Sequence, residues 1–337
     1  MIAARAMGDA LRAVLNEDDR VILLGEDLVD PYGGAFKVTR GLSTEFPGRV
    51  RSTPISEGGI IGLSAGLALS GYRPIAEIMF GDFITLCFDQ IVNHIAKYEA
   101  MYNGKATCPV IIRTPSGGGR GYGPTHSQSL EKHFLGVPHL RVVASSLVHD
   151  PAAVLRALLA QNRPALLIEH KLLYPLHLML PAAGGRIEDD VAETQVSADG
   201  LPTVSIRPVA RKDCSFSVLA YGYQAELARR VLSRLAVEEE IFGELVVPSQ
   251  ISPLHWEPID ASVSVTRRLL VIEEGVEGCT WGSEVAARIS ARFFGELRQP
   301  VATASSDPTV IPASKTLEAR MLMTPERVER AIRKVAT

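Results

Sequence analysis

The sequence predicts an α/β protein that consists of two doubly wound domains. Short apolar segments typical of buried strands alternate with helical segments in two successive series. The 337 residues are enough for two domains, since a domain usually takes roughly 100–200 residues. A polar stretch with several Gly, Asp and Pro residues, from 181 to 203, separates the two series and is typical of a linker.

The first series begins with a helix in the segment MIAARAMGDALRAVL and continues as alternating strands and helices. The predicted strands are 21–25, 73–80, 108–115, 140–145 and 164–170. The further predicted helices are 58–71, 83–100 and 151–159. Helix 83–100 has apolar residues at helical spacing, and helix 151–159 has Pro in its first turn. Strands that alternate with helices in this way favour a parallel sheet.

The second series repeats the pattern after the polar stretch. The predicted strands are 215–222, 243–249 and 267–275, and the predicted helices are 224–235, 282–294 and 325–335. The last helix carries basic residues near its carboxyl end, where they complement the helix dipole. We therefore predict a first domain over 1–185, a linker over 186–204 and a second domain over 205–337.

Composition excludes several classes of protein. Hydrophobic residues make up 46% and charged residues 22% of the chain, as in a folded globular protein. The net charge of −3 argues against nucleic-acid binding. The longest uncharged stretch worth testing, 58–72, is shorter than the roughly 18 apolar residues of a membrane span. The amino-terminal segment lacks the features of a signal peptide. Since the four cysteines have no metal or redox spacing, we expect a cytoplasmic protein.

Common catalytic motifs are absent or fail in context. The sequence has no nucleotide phosphate loop, no H-E-x-x-H, and no G-x-G-x-x-G in the glycine-rich segment 117–123. Residues 62–66 form a literal G-x-S-x-G. A nucleophile elbow needs a strand directly before its serine, and here the surrounding residues read as one helix. We therefore expect Ser64 to be a packing residue.

A series of separated segments is more specific than any of these motifs. The segments are GEDL (25–28), YGGAFKVTRGL (32–42), TPISEGGIIGLSAGLALSGYRPIAEI (53–78), GDF (81–83), FDQIVNHIAK (88–97), RTPSGGG (113–119) and HSQSLE (126–131). Their order and spacing resemble the β subunit of the E1 component of 2-oxo acid dehydrogenases, a group of transketolase-like thiamine diphosphate enzymes. The resemblance spans nearly the first 175 residues and weakens after residue 200. It implies a pyrimidine-binding domain followed by a transketolase C-terminal-type domain.

The resemblance implies roles for particular side chains. Glu57 corresponds to the carboxyl group that bonds to the pyrimidine N1′ of the cofactor and favours the tautomer needed for proton loss at the thiazolium C2. Phe83 corresponds to the aromatic residue that packs on the pyrimidine ring. His126 corresponds to a histidine that assists proton or acyl transfer, with Ser127 and Gln128 positioning its loop.

The same resemblance adds Ile55 and Glu26 to the cofactor-binding residues. From the residues alone, Glu57 could simply favour a helix amino terminus, Phe83 could be a core residue, and His126 could be a polar surface residue. These alternatives stay open at this point.

The resemblance also implies cofactors and partners. Thiamine diphosphate enzymes hold Mg²⁺ and the diphosphate with a G-D-G motif, which this chain lacks. Mg²⁺ is therefore expected on an α subunit, in an α₂β₂ heterotetramer that shares the thiamine site. Some members of the family also bind K⁺ through backbone carbonyls. The matching residues are Ile112, Leu158, Gln161 and Arg163.

Three functions remain possible. The first is an E1 β subunit that, with its α subunit, decarboxylates a 2-oxo acid and transfers the acyl unit to a lipoyl group. The second is a diverged relative that moves a two-carbon unit to a lipoyl or carrier-protein thiol. The second hypothesis depends on departures from the family pattern in the carboxyl-terminal half, such as Ser249 in place of Arg and His255 in place of Asp. The third is a non-catalytic interaction paralogue, which the presence of Glu57, Phe83 and His126 disfavours.

Overall fold

The structure is a computed structural model that describes residues 1–182 and 184–337, and its strands form two seven-stranded sheets. The strands are β1 (Val21–Gly25), β2 (Val50–Ser52), β3 (Arg73–Glu77), β4 (Ile111–Ser116), β5 (Arg141–Ala144), β6 (Ala165–His170), β7 (Arg186–Ile187), β8 (Asp190–Val196), β9 (Pro202–Arg207), β10 (Phe216–Ala220), β11 (Gly243–Pro248), β12 (Gln250–Ser252), β13 (Leu269–Val276) and β14 (Ala302–Ser306). The α-helices are α1 (Ala3–Glu17), α2 (Leu42–Glu45), α3 (Glu57–Leu69), α4 (Tyr98–Met101), α5 (Pro151–Gln161), α6 (Gly222–Glu239), α7 (Glu257–Thr266), α8 (Trp281–Arg292), α9 (Lys315–Met321) and α10 (Pro325–Ala336).

The first sheet has the order β12-β5-β6-β4-β3-β1-β2. All its pairings are parallel except that of β12 with β5. Residues of α1 and α5 form one buried cluster with the sheet, and residues of α3 belong to a second cluster. Because both faces are covered, β1 is buried at every position, as its continuous apolar run predicts.

The second sheet has the order β14-β13-β10-β11-β9-β8-β7. Strands β14, β13, β10 and β11 pair in parallel, and β9, β8 and β7 continue the sheet in antiparallel fashion. Residues of α6 and α10 contribute to a third buried cluster with this sheet. The described part of the chain contains no helix long and apolar enough to cross a bilayer.

The linker predicted over 186–204 is wrong as a description of these residues. They form β7, β8 and the start of β9, which extend the second sheet. In β8 only Ala192 is buried, while its neighbours are intermediate or exposed. An antiparallel strand with one solvated face is mostly polar, so its composition resembles that of a loop.

The two halves of the chain share the first sheet. Strand β12 follows β11 in sequence, yet Gln250 and Ser252 pair with Val143 and Val142 of β5. The indole Nε1 of Trp281 donates to the carbonyl of Ile251 in the same strand at 3.0 Å. The carboxyl-terminal half is therefore built onto the first domain.

The segment predicted as one helix over 83–100 is divided. A 3₁₀ helix spans Gly81–Cys87, a π-helix spans Gln90–Ile95, and α4 follows. At the end of the π-helix, the backbone N–H of Ala96 donates to the carbonyl of Ile91 at 3.1 Å, the five-residue spacing that defines this helix type. Of the five apolar residues at helical spacing, Ile84, Ile91 and Ile95 are buried, Val92 is partly buried and Phe88 is exposed. Apolar spacing thus identified most of the buried face but not the helical pitch.

Ser64 confirms its prediction. It is fully buried within α3, and its Oγ donates to the carbonyl of Ile60 at 2.7 Å, one turn earlier in the same helix. No strand enters the turn before it, so the G-x-S-x-G sequence is not a nucleophile elbow.

Candidate active site

The candidate site lies at the carboxyl ends of the central strands of the first sheet. Glu26 directly follows β1, Glu57 begins α3, and Phe83 lies in the 3₁₀ helix after β3. The glycine-rich segment that leads to His126 follows β4, and Lys171 follows β6. Ligand sites of open α/β sheets form at this edge.

Glu57 and Glu26 form a pair of buried carboxyl groups. The Glu57 side chain is 6% exposed. Glu26 is also buried, and its Oε1 has no hydrogen-bond partner among the described residues. Burial, and then the charge of nearby Glu57, raise the pKa of Glu26 above its usual range. Since buried polar atoms are normally paired, Glu26 Oε1 has free capacity for a donor from a ligand.

Phe83 and His126 meet in an aromatic cluster. The imidazole of His126 lies 5.1 Å from the ring of Phe83 and 4.9 Å from that of Phe80, measured between centroids, and nearly perpendicular to both. Edge-to-face contacts of this kind fix ring orientation. The Nδ1 atom of His126 lies 3.0 Å from Thr125 Oγ1. The structure therefore brings two of the predicted site residues together and leaves the imidazole Nε2 free of contacts with other described polar groups.

Charged side chains hold the backbone on both sides of His126. The carbonyl of His126 accepts from Nζ of the buried Lys171 at 2.6 Å. Two residues later, Gln128 donates through its backbone N–H and its Nε2 to Oδ1 of Asp82, at 3.2 and 2.8 Å. Burial lowers the pKa of Lys171 to about 8, against the attraction of Asp82 and Glu274. Gln128 thus takes the loop-positioning role expected for it.

A second cluster ties the same loop to the second sheet. Glu274 of β13 accepts from the N–H of Gly118 at 2.8 Å and from Ser129 Oγ at 3.1 Å. His170 lies with its Nε2 2.9 Å from Glu274 Oε2, and its Nδ1 accepts from the N–H of Leu172. Because Nδ1 is an acceptor, Nε2 carries the hydrogen that Glu274 accepts. Burial alone would raise the pKa of Glu274, but His170 and these donors lower it.

Sequence reasoning missed Asp82, Lys171 and Glu274. Asp82 lies in the GDF segment, where only the phenylalanine had been assigned a role. Lys171 directly follows β6, and Glu274 lies near the end of β13. A polar residue at the carboxyl end of a predicted buried strand was the available signal.

The remaining predicted residues are Ile55 and the four expected to bind K⁺. Ile55 is 83% exposed in the turn before α3, two residues before Glu57. Of the residues expected to bind K⁺, Ile112 lies in β4, Leu158 and Gln161 in α5, and Arg163 just after α5. Gln161 Oε1 is buried without a hydrogen-bond partner among the described residues, which leaves one oxygen available there. The K⁺ site stays a prediction.

Metal-ligating side chains do not cluster in the described part of the chain. Among residues 1–182 and 184–337, no group of three or more His, Cys, Asp or Glu side chains could hold a metal ion.

The chain matches two known domain families. The transketolase pyrimidine binding domain matches residues 2–177, and the transketolase C-terminal domain matches residues 208–328. A solved structure of similar fold is a split-gene transketolase, described as an inactive β4 tetramer, with a TM-score of 0.74 at 20% identity; the match covers 100% of this chain and 99% of the other. That likeness concerns the fold alone.

Several curated proteins are similar over nearly their whole length. The β subunit of an acetoin:2,6-dichlorophenolindophenol oxidoreductase from Cupriavidus necator is 34% identical, covering 98% of this chain and 95% of the relative. The β subunit of pyruvate dehydrogenase E1 from Porphyra purpurea is 33% identical, covering 98% and 96%. The β subunit of a 2-oxoisovalerate dehydrogenase from Bacillus subtilis is 33% identical, covering 98% and 97%.

Proposed function

The chain belongs to the transketolase-like family of E1 β subunits of 2-oxo acid dehydrogenases, and we propose that it works with an α subunit to decarboxylate a 2-oxo acid and transfer the acyl unit to a lipoyl group. The buried Glu57 at the start of α3, beside Glu26 whose Oε1 has no hydrogen-bond partner among the described residues, carries the proposal. A buried acceptor without a donor suits a ligand that brings its own N–H, as a pyrimidine nitrogen does.

The residues present fit thiamine diphosphate. When bound, this cofactor would supply the nucleophilic carbon chemistry that decarboxylation of a 2-oxo acid requires. Glu57 would hold a proton shared with the pyrimidine N1′. Glu26 lies beside it, and burial raises the pKa of Glu26 above its usual range. Phe83 is only partly buried and would offer a ring surface to the pyrimidine.

His126 would take and return protons at its Nε2 atom during acyl transfer. Its Nδ1 is engaged with Thr125, and its ring is fixed by Phe80 and Phe83. An imidazole held in one orientation with one nitrogen free is suited to general acid–base work near neutral pH.

An α subunit would complete the site. Around Glu57 the chain exposes large apolar side chains, namely Ile55 (83%), Leu63 (55%) and Leu86 (61%). The exposed face of α3 also carries Gly62 and Gly66, at which an added Cβ would meet nothing within 4 Å. Such a face suits close packing against a partner chain. That partner would hold Mg²⁺ and the diphosphate, for which this chain shows no motif, in an α₂β₂ assembly with a cytoplasmic location.

The relatives suggest a small set of candidate donor substrates. The names of the relatives include acetoin, pyruvate and 2-oxoisovalerate, so these compounds form the first panel. Transfer of a two-carbon unit to another thiol would use the same residues, and no contact in the described structure favours it over the main proposal.

Co-expression with an α chain that carries the G-D-G motif tests the proposal. The purified complex would be titrated with thiamine diphosphate and then assayed on the panel, with 2,6-dichlorophenolindophenol and with a lipoylated domain as acceptors. We expect saturable cofactor binding and turnover of at least one donor. A stable αβ complex that binds no thiamine diphosphate would contradict the proposed function.

A further inference from the structure

The glycine-rich loop before His126 has a backbone shape that binds anions. Gly117, Gly119, Gly121 and Gly123 have positive φ angles of 85°, 85°, 73° and 83°. Alternation of such residues with ordinary ones turns successive N–H groups toward one side, where they form a concave nest for a negative charge. A loop of this kind in a cofactor enzyme would first suggest phosphate binding.

A carboxylate of the chain itself occupies this nest. Glu318 of α9 accepts from the N–H of Gly119 through Oε1 at 2.9 Å and from that of Gly121 through Oε2 at 2.8 Å. It is 1% exposed. Each oxygen therefore has its own backbone donor, and both bonds are charge-assisted. The N–H groups of Gly119 and Gly121 are thus already hydrogen-bonded within the chain.

The segment that carries Glu318 also packs on the loop. A Cβ atom at Gly118 would lie 2.3 Å from Cδ1 of Leu322, and one at Gly121 would lie 3.2 Å from the carbonyl of Ala313. Such distances leave no room for a side chain at Gly118. The loop is therefore held by hydrogen bonds and by close contact with residues 313–322, and it continues directly into His126.

We propose that Glu318 is a positioning residue for His126: its carboxylate fixes the glycine-rich loop, and the loop fixes the imidazole against Phe80 and Phe83. The inference rests on the acid–base role proposed above for His126. It explains why the active-site loop depends on the second domain, although none of the side chains proposed to touch the cofactor lies there.

Glu318→Gln isolates the carboxylate with little change of volume. An amide keeps one acceptor but points an NH₂ group at the other backbone donor, so one of the two loop N–H groups loses its bond. We expect the loop to loosen and kcat for acyl transfer to fall by about tenfold to a hundredfold, since small misplacements of catalytic groups have effects of that size. Thiamine diphosphate affinity and the KM for the donor should change little.

A double-mutant cycle in the assembled αβ complex tests the inference. The variants are Glu318→Gln, His126→Ala and their combination, with Glu257→Gln as control because that side chain is 83% exposed. If Glu318 acts through His126, its replacement should cost little further kcat in the His126→Ala background. Independent, multiplicative losses, or full activity of Glu318→Gln beside an impaired His126→Ala, would overturn the inference. Full activity of His126→Ala would contradict the proposed function itself.

Hydrogen exchange gives a readout that does not depend on catalysis. Amides of the loop over 117–129 should exchange faster in Glu318→Gln than in the wild type and the Glu257→Gln control. If Glu318→Gln does not assemble, Leu322→Ala loosens the same segment while it keeps the carboxylate, and the same loss of kcat and of protection is expected. Unchanged protection and kcat in the assembled variant would overturn the inference.

Discussion

Lys171 Nζ donates to the carbonyl oxygen of His126 at 2.6 Å from a fully buried position directly after β6. The same ammonium group lies 5.4 Å from the ring centroid of Phe80. Phe80 in turn contacts the imidazole of His126. The backbone and the ring of the candidate catalytic histidine are therefore both supported by one buried cation and its aromatic neighbour.

The charge of Lys171 should appear in the pH profile. Burial lowers the pKa of Lys171 to about 8, with Asp82, Glu274 and Glu318 opposing the shift and Arg120 adding to it. As pH rises through about 8, the ammonium becomes an amine and its bond to His126 weakens. We expect kcat to decline with an apparent pKa near 8. Steady-state assays across this range would show it.

Lys171→Met provides the comparison for that profile. Its kcat should be low throughout and should lack the limb near pH 8. The pH dependence of stability has the opposite direction to that of kcat, because stability increases with pH. Because the pKa of Lys171 is lowered, the unfolded chain binds more protons between about 8 and 10.5, so this residue adds stability as pH rises through that window. A wild-type kcat that is flat across pH 8 would contradict the assignment.

Glu57 should be essential for turnover and dispensable for assembly. Glu57→Ala removes the buried carboxylate proposed to bind the pyrimidine and is expected to lower kcat by about 10²–10⁴-fold, the usual range for a general acid–base group. Native mass of the αβ complex and its kcat would be measured together. Glu45→Gln serves as control, because Glu45 is an exposed residue of α2. Near-normal turnover of Glu57→Ala in an intact complex would remove Glu57 from its role.

Buried strands were the part of the fold that the sequence predicted best. The run Val21–Gly25 is buried at every position and is apolar for that reason. Strand β8 was missed because only Ala192 of its residues is buried. The pitch of Gln90–Ile95 was also missed, since α- and π-helices bury nearly the same apolar positions over so short a segment.

The sequence likewise predicted some residues of the candidate site and not others. Glu57, Phe83 and His126 lie in segments that carry a family resemblance, so they could be named from the sequence. Lys171 and Glu318 could not, because their partners are distant in the chain: Lys171 bonds to a residue 45 positions away, and Glu318 to one 199 positions away. A single lysine or glutamate has no local signature of such a contact, which only the fold creates.

Arg113 should be the most sensitive buried charge. It is 1% exposed, donates to Glu169 at 2.6 and 2.9 Å and to Glu77 at 2.8 Å, and joins three neighbouring strands of the first sheet. Burial by itself lowers the pKa of Arg113, but the two carboxylates outweigh it and raise the pKa overall. The guanidinium therefore stays charged in the folded chain.

Arg113→Met leaves two buried carboxylates without a counter-ion. We expect a loss of about 3–5 kcal/mol in the free energy of unfolding, typical of a broken buried pair. Arg156→Met is the control, because Arg156 pairs with Glu17 at the surface with about half of each side chain exposed. Its loss should be much smaller, because an exposed ion pair contributes little to stability. Urea unfolding of both variants compares them, and equal losses would show that burial of the pair adds nothing.

His149 should make the joint between the two halves sensitive to acid. Its Nδ1 lies 2.9 Å from Ser146 Oγ and its Nε2 3.2 Å from the carbonyl of Val247 in β11. Because the carbonyl of Val247 can only accept, the Nε2 atom of His149 carries the hydrogen. Burial lowers the pKa of His149 to about 4, although the carbonyl of Val247 partly opposes the shift.

The sign of the acid effect follows from that lowered pKa. As pH falls from about 6.5 to about 4, the unfolded chain gains a proton at His149 and the folded chain does not, so stability falls. The full loss is on the order of 3 kcal/mol. His149→Gln retains an amide donor but does not titrate, so its unfolding free energy should fall less over the same range. His139→Gln, at an exposed histidine, should follow the wild type. Parallel pH curves for wild type and His149→Gln would show that His149 does not titrate as proposed.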